Sequence, residues 1–333
     1  MHKIVILDGY TTNTGDLSWE PVSSLGEIKI YDRTAPEDVI ARCAGADILI
    51  TNKVLLTSAV LAELPHVKYI GLMSTGVNVV DLEYCDSHGI AVTNIPGYST
   101  ASVAQTTFAM ILELCSRVSL HDKYVKSGVW TSCVDFTFRK SPIMDLCGKT
   151  IGIVGYGNIG KQVSRIAHSF DMKVLVYTRR KIDISVQHAE NIQQVSFNEL
   201  LEKSDIVTLH IPLTKETNQL INKESLAKMK HGSILINTAR GGLINEADLA
   251  SALHSAQLAG AGLDVLSTEP PKPDNPMLSC ENCIITPHIA WASLESRGRL
   301  IDILAKNLAS YINYSDNSLT LDCIHNLVNN PHN

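Results

Sequence analysis

Short apolar runs alternate along this chain with segments whose apolar positions repeat at helical spacing. The runs Lys3–Asp8, Glu27–Tyr31, Asp47–Thr51, Lys68–Met73 and Ile90–Thr93 read as strands, with helix-like segments such as Pro36–Cys43 and Ser58–Leu64 between them. A second set follows Asp145-Leu-Cys-Gly-Lys149: Thr150–Gly155, Lys173–Thr178, Asp205–His210, Ser233–Thr238, Gly260–Asp264 and Cys283–Thr286. Strands that alternate with helices predict an α/β fold of parallel sheets with crossover helices. Ser102–Leu120 is long and apolar and reads as a buried helix linking two domains. After it, His121–Pro142 is polar, carries Trp130, Phe136 and Phe138, and has little periodicity; a loop of that length usually has a task. The last helix, Ala292 to about Tyr311, comes after the second strand set and can pack back on the first domain.

The 333 residues exceed one ordinary core, which agrees with two domains. A net charge of -6 gives no reason to expect nucleic acid, and no apolar run reaches the 18 residues of a membrane span. Met1-His-Lys-Ile-Val-Ile-Leu-Asp8 reads as a first strand rather than a signal peptide, so a cytoplasmic location is expected. Eight cysteines fit buried thiols in a reducing compartment. Cys280-Glu-Asn-Cys283 has CxxC spacing but no second ligand pair accompanies it, so no metal site is expected.

Ile151-Gly-Ile-Val-Gly-Tyr-Gly-Asn-Ile-Gly160 is an apolar strand running into a glycine-rich turn. GxGxxG alone is a weak signal. Between a strand and a helix over Asn158–Phe170 it predicts a dinucleotide site, with Gly155 for the tight turn, Gly157 for the approach of the pyrophosphate and Gly160 for close packing of helix on strand. About 20 residues on, an acidic residue usually reads the adenosine ribose of NAD. Here Thr178 holds that place and Arg179 and Arg180 follow, a pair that suits a 2′-phosphate. The cofactor expected is therefore NAD or NADP. A solvated basic loop is the plainer alternative.

Ser233-Ile-Leu-Ile-Asn-Thr-Ala-Arg-Gly-Gly242 hangs Arg240 beyond a strand end, before a Gly-Gly pair that reads as an exposed turn. Glu269 follows in Ser-Thr-Glu-Pro-Pro, and His288 in Thr-Pro-His-Ile-Ala-Trp. Reducing a 2-keto acid needs a hydride at C2, a proton at its oxygen and a grip on the carboxylate. A planar guanidinium supplies the grip and polarises the carbonyl. An imidazole titrates near working pH and supplies the proton, and a neighbouring carboxylate orients it. Taken singly, Arg240 reads as a surface ion pair, Glu269 as loop charge and His288 as a capping side chain; their shared strand-end placement joins them.

The motifs Gly155-Tyr-Gly-Asn-Ile-Gly160, Asn237-Thr-Ala-Arg-Gly-Gly242, Gly262-Leu-Asp-Val-Leu-Ser-Thr-Glu269 and Thr286-Pro-His-Ile-Ala-Trp291 together resemble the D-isomer-specific 2-hydroxyacid dehydrogenases, over essentially the whole chain. Leu7-Asp-Gly-Tyr10, Leu17-Ser-Trp19, Thr51-Asn-Lys-Val54 and Asn94-Ile-Pro-Gly-Tyr-Ser99 resemble the branch that interconverts glycerate and hydroxypyruvate. The resemblance implies two doubly wound parallel-sheet domains. A Rossmann nucleotide domain, 101–290, is inserted into a flavodoxin-like substrate domain, 1–100 with 291–333.

It further implies that Arg240 binds substrate, that His288 is the acid/base and that Glu269 pairs with it. Met73-Ser74-Thr75-Gly76 matches the loop whose backbone amides hold the substrate carboxylate, with Thr75 close to the cofactor. Asn158 and Ile159 match pyrophosphate contacts. Thr238 and Ala239, beside Arg240 and His288, line the nicotinamide side, and Asp264 lies near the carboxamide. The stretch around His121–Pro142 matches a dimer-forming arm, so a homodimer is expected. The tail after Tyr311 has no obvious counterpart. Lactate, phosphoglycerate and formate dehydrogenases of the same family remain alternatives, as does a nucleotide-sensing corepressor on the same fold.

Overall fold

The carboxyl ends of parallel strands carry most of the candidate residues, so strand order decides where they lie. The computed structural model describes residues 2–317 and 320–331. It divides into two units, Met1–Ser99 with Ala292–Asn333 and Thr100–Trp291.

In the first unit β1 (Lys3–Ile6), β2 (Glu27–Ile30), β3 (Ile48–Thr51), β4 (Tyr69–Leu72) and β5 (Ala91–Thr93) form a parallel sheet of order β2-β1-β3-β4-β5. This is the flavodoxin-like order. The helices α1 (Glu20–Ser23), α2 (Val39–Cys43), α3 (Ser58–Ala62) and α4 (Leu82–Ser87) are short. Thr57 and Asp81 cap α3 and α4 by accepting from Val60 N and Tyr84 N. Alternate strand residues face opposite ways. Val5, Leu49, Ile70 and Val92 pack with Val39, Leu61 and Cys85. Gly71 lets the C-terminal helix, Leu294–Asn317, approach the other face, where a Cβ would lie 3.1 Å from Leu304.

In the second unit α5 (Thr100–Ser116) and α6 (Val118–Lys126) precede a seven-stranded parallel sheet of order β12-β11-β10-β9-β6-β7-β8. Its strands are β6 (Thr150–Val154), β7 (Lys173–Tyr177), β8 (Ile192–Gln194), β9 (Ile206–Leu209), β10 (Ser233–Asn237), β11 (Leu258–Leu263) and β12 (Cys283–Ile285). Helices cover both faces. α5 and α7 (Asn158–Ser169) bring Ala104, Phe108, Ile111, Val163 and Ala167 onto Ile151, Ile153, Ile206 and Ile236. On the other face lie α9 (Phe197–Lys203), α10 (Lys223–Lys228) and α11 (Glu246–His254), packing Leu200, Leu226 and Leu249 onto Val207, Leu209 and Leu235. The short α8 (Ile184–Ala189) precedes β8. Strand order reverses between β6 and β9, and in doubly wound sheets ligands bind at the carboxyl ends there.

Three expectations need correction, and one strand was not among those expected. The single helix expected over Ser102–Leu120 is broken at Arg117, whose φ of 52° is left-handed and redirects the chain into α6. The stretch His121–Pro142 therefore begins helical and turns irregular after Lys126. β8 was not foreseen: it has three residues and only Ile192 is buried. The last helix runs to Asn317, not Tyr311.

Candidate active site

The glycine turn follows β6. Gly155 has φ +99°, and a Cβ there would lie 2.4 Å from the His210 carbonyl oxygen. Gly160 sits against Gly155, where a Cβ would come 2.1 Å from its carbonyl oxygen, so helix and turn touch backbone to backbone. Gly157 has nothing within 4 Å of a Cβ and no side-chain cap on α7. Gly157 and Asn158 are exposed and Ile159 is half-buried. An uncapped helix N-terminus with bare backbone fits a diphosphate.

After β7, Thr178 is half-buried and Arg179 and Arg180 are exposed. This loop is held by a residue that composition and spacing did not mark. Gln194 Nε2 donates to the carbonyls of Thr178 (3.2 Å) and Arg180 (3.0 Å), and its Oε1 accepts from Ile182 N at 2.8 Å. Glu216, from the loop after β9, has its carboxyl held low by the Thr214 hydroxyl, by its own backbone N–H and by the charge of Arg179.

Beyond β10 the side chain of Asn237, fully buried, shapes the turn that carries Arg240. Its Oδ1 accepts from Ala239 N (3.0 Å) and its Nδ2 donates to Arg240 O (2.9 Å). Arg240 is exposed and donates from Nη1 to Ala239 O at 2.7 Å. Thr238 is buried, with its hydroxyl 3.2 Å from that of Thr107. The Gly-Gly pair is not an exposed turn. Gly241 is buried, because a Cβ there would meet the Leu266 carbonyl carbon at 1.9 Å, so only glycine lets the two segments touch.

His288 and Glu269 meet. Nδ1 of His288 donates to Glu269 Oε2 at 2.6 Å, and Oε1 of Glu269 accepts from Leu266 N at 3.0 Å. The pair is partly exposed, 29% for the imidazole and 37% for the carboxylate. With Nδ1 engaged, Nε2 is the nitrogen left to exchange a proton. His288 has φ 56°, held by its N–H donating to Asp264 O (2.8 Å). Asp264, 1% exposed, accepts from the Thr286 hydroxyl (2.5 Å) and from the amides of Ile289 and Ala290 (both 2.9 Å). Its carboxylate therefore braces the loop carrying His288. Trp291 Nε1 donates to His288 O at 2.9 Å.

In the first unit the turn after β4 is tied down through its own polar groups. Ser74 Oγ donates to Gly76 O (2.6 Å), and Thr75 Oγ1 donates to Ile95 O (2.8 Å). Among the described residues no group of three or more His, Cys, Asp or Glu could hold a metal ion, and no helix is long and apolar enough to cross a membrane.

A doubly wound sheet with a glycine turn at its switch point, and with a guanidinium and a carboxylate-supported imidazole beyond other strand ends, defines a nicotinamide-dependent oxidoreductase. Residues 108–290 match the family model of the D-isomer specific 2-hydroxyacid dehydrogenase NAD binding domain. The chain is 48% identical over 313 residues to a hydroxypyruvate reductase of Blautia hydrogenotrophica, covering 93% of this chain and 97% of that one. It is 38% identical over 289 residues to a glycerate dehydrogenase of Methylorubrum extorquens, covering 86% and 89%. A solved acyclic imino acid reductase in complex with NADPH and D-Arg superposes with a TM-score of 0.84 at 30% identity, covering 98% of this chain and 99% of that one. The chain belongs to the D-isomer-specific 2-hydroxyacid dehydrogenases and binds a nicotinamide dinucleotide.

Proposed function

We propose that this protein reduces hydroxypyruvate to D-glycerate, with glyoxylate as a smaller second substrate, using NADH or NADPH. The contact of His288 Nδ1 with Glu269 Oε2 at 2.6 Å carries the chemistry, and the likeness to a hydroxypyruvate reductase over 93% of the chain supports the substrate. Arg240 grips the keto-acid carboxylate and polarises the C2 carbonyl with its remaining N–H groups. His288, oriented by Glu269, passes the Nε2 proton to the carbonyl oxygen as the C–O double bond becomes single. A reduced nicotinamide held at this site would supply the hydride to C2. In the reverse direction Nε2 takes the hydroxyl proton. The backbone amides of Ser74, Thr75 and Gly76 are assigned to the substrate carboxylate. The turn Gly155–Gly160, with Asn158 and Ile159, is assigned to the diphosphate. Thr178 and Arg179 are assigned to the adenosine ribose, and Thr75, Thr238, Ala239 and Asp264 to the nicotinamide side.

We also infer a cytoplasmic homodimer. All eight cysteines are free thiols, which supports a reducing compartment. Val118, Trp130, Val134 and Phe136 expose apolar side chains along α6 and the stretch after it, which supports a pairing surface there. The test of function is oxidation of NADH and NADPH by the purified protein across hydroxypyruvate, glyoxylate, pyruvate and phosphohydroxypyruvate. The highest kcat/KM should fall on hydroxypyruvate. A higher value on another keto acid would reassign the substrate, and no turnover on any would leave the corepressor reading.

A further inference from the structure

The C-terminal tail is built into the first unit. Leu327 bridges Thr93 antiparallel, Val328 N donates to Val92 O at 2.9 Å, and Asn329 both accepts from Val92 N and donates to Ile90 O, each at 2.8 Å. The segment thus pairs with β5, whose outer backbone groups would otherwise form an open edge.

Beyond the end of β5 this pairing does more than close an edge. Asn94 N donates to Asn326 O at 3.3 Å, and Asn94 O accepts from Asn307 Nδ2 at 2.9 Å. Asn307, on the C-terminal helix and 1% exposed, in turn accepts from Asn326 Nδ2 at its Oδ1 (2.8 Å). Asn94, Asn307 and Asn326 therefore close a ring that holds the Asn94 backbone through both its N–H and its carbonyl. The Asn94 side chain extends from that ring, with Nδ2 donating to Thr75 O at 2.8 Å. The next residue completes the attachment: Ile95 N donates to Ser74 O (2.9 Å) and Ile95 O accepts from Thr75 Oγ1 (2.8 Å). Two of the three residues in the Ser74–Gly76 turn are thus anchored on Asn94 and Ile95. Asn326 has φ 55°, a conformation asparagine tolerates, and its amide is the part that reaches Asn307.

We propose that Asn326 and Asn94 are positioning residues for substrate binding, through which the C-terminal tail fixes the backbone amides of the Ser74–Gly76 turn. This rests on the assignment of that turn to the substrate carboxylate. A turn that presents N–H groups to a carboxylate gains affinity when its backbone is held in advance, so loosening the ring should act on substrate binding rather than on nucleotide binding.

Asn326→Gly keeps the left-handed backbone and removes only the amide, whereas Asn94→Ala cuts the bond to Thr75 O. Each should raise KM for hydroxypyruvate about fivefold, equivalent to roughly 1 kcal/mol for one hydrogen bond. The NADH Kd, read by fluorescence titration, should stay at the wild-type value, and kcat should change less than KM. The double variant should be no worse than the more affected single, because both cut one chain of bonds. Gly76→Val, which places bulk in the turn itself, tests the underlying assignment. If it raises KM while the two asparagine variants do not, the tail has no positioning role. An unchanged KM in Gly76→Val removes the assignment and this inference with it. A joint fall of Tm and nucleotide affinity in both asparagine variants would mean plain destabilisation and would also overturn the proposal.

Discussion

Gly241 lies against Leu266 so closely that a Cβ on the glycine would come 1.9 Å from the leucine carbonyl carbon. The contact joins two pieces of the site, because Arg240 precedes Gly241 and Leu266 N donates to Glu269 Oε1. Gly241→Ala must push the segments apart. It should lower kcat/KM by about tenfold or more, since a displacement of about 1 Å is enough to cost that much. A variant with wild-type kinetics and unchanged Tm would show that the contact places neither residue.

Replacing His288 tests the proton-transfer assignment. His288→Asn tolerates the φ of 56° and cannot act as an acid at the same place. The expected loss in kcat is about 100- to 10,000-fold, with the NADH Kd retained. Turnover near the wild-type rate would remove His288 from the chemistry.

Much of this geometry was legible in the chain. The strands stand out as apolar runs, and the carboxyl ends of parallel strands lie along one edge, so Gly155, Arg240 and His288 could be assigned to strand ends before any contact was known. What stayed hidden has physical reasons. The break at Arg117 leaves the apolar spacing intact, because a left-handed residue is a backbone event without a compositional mark. Gly241 reads like any glycine of a turn, and its role depends on the distant Leu266 backbone. The tail pairs with β5, and a strand's partner cannot be read from its own alternation. Gln194 likewise acts through long-range bonds to the loop after β7.

Acid should destabilise the protein partly through His210. Its Nδ1 is buried without a hydrogen-bond partner among the described residues, and burial pushes the imidazole down to about 3. The unfolded chain binds a proton there below about pH 6.5 while the native state does not, so stability falls as pH drops through that value. The loss is about 2 kcal/mol near pH 5 and stops growing only as the pH approaches the folded value. His210→Asn removes this titration. Its Tm should fall less than that of the wild type between about pH 7 and about pH 5; an equal fall would assign the acid sensitivity elsewhere.

Thiol chemistry should separate the cysteines by burial. Burial pushes Cys43, Cys85 and Cys283 up to about 12 and Cys115 to about 11, whereas Cys147 and Cys323 are exposed. A thiol at about 12 is ionised to only about one part in ten thousand near pH 8, and the thiolate is the reactive form. Native protein should therefore take up a maleimide first at Cys147 and Cys323, with Cys283 reacting only after unfolding. Peptide mapping that finds Cys283 modified as fast as Cys147 would show that burial does not protect the Cys280–Cys283 pair.

Cofactor choice should depend on the charges of Arg179 and Glu216. Thr178 has no carboxylate with which to hold the adenosine ribose or repel a 2′-phosphate, and Arg179 is exposed beside it. The Glu216 carboxylate is held low first by the Thr214 hydroxyl, at 2.6 Å, and to a lesser degree by the charge of Arg179. A 2′-phosphate on the ribose would pair with Arg179 bidentately, while the negative charge of Glu216 nearby opposes it. Gln194 fixes the backbone of the loop, so movement of the Arg179 side chain suffices. Arg179→Ala should lower kcat/KM for NADPH about threefold to tenfold, a range reduced from the buried value because the site is exposed, and leave NADH nearly unchanged. Glu216→Gln should shift the ratio the other way, toward NADPH. These effects should weaken at high salt, as expected for an exposed charge pair. Equal losses for both cofactors in Arg179→Ala, together with no change in Glu216→Gln, would show that Arg179 does not read the 2′-phosphate.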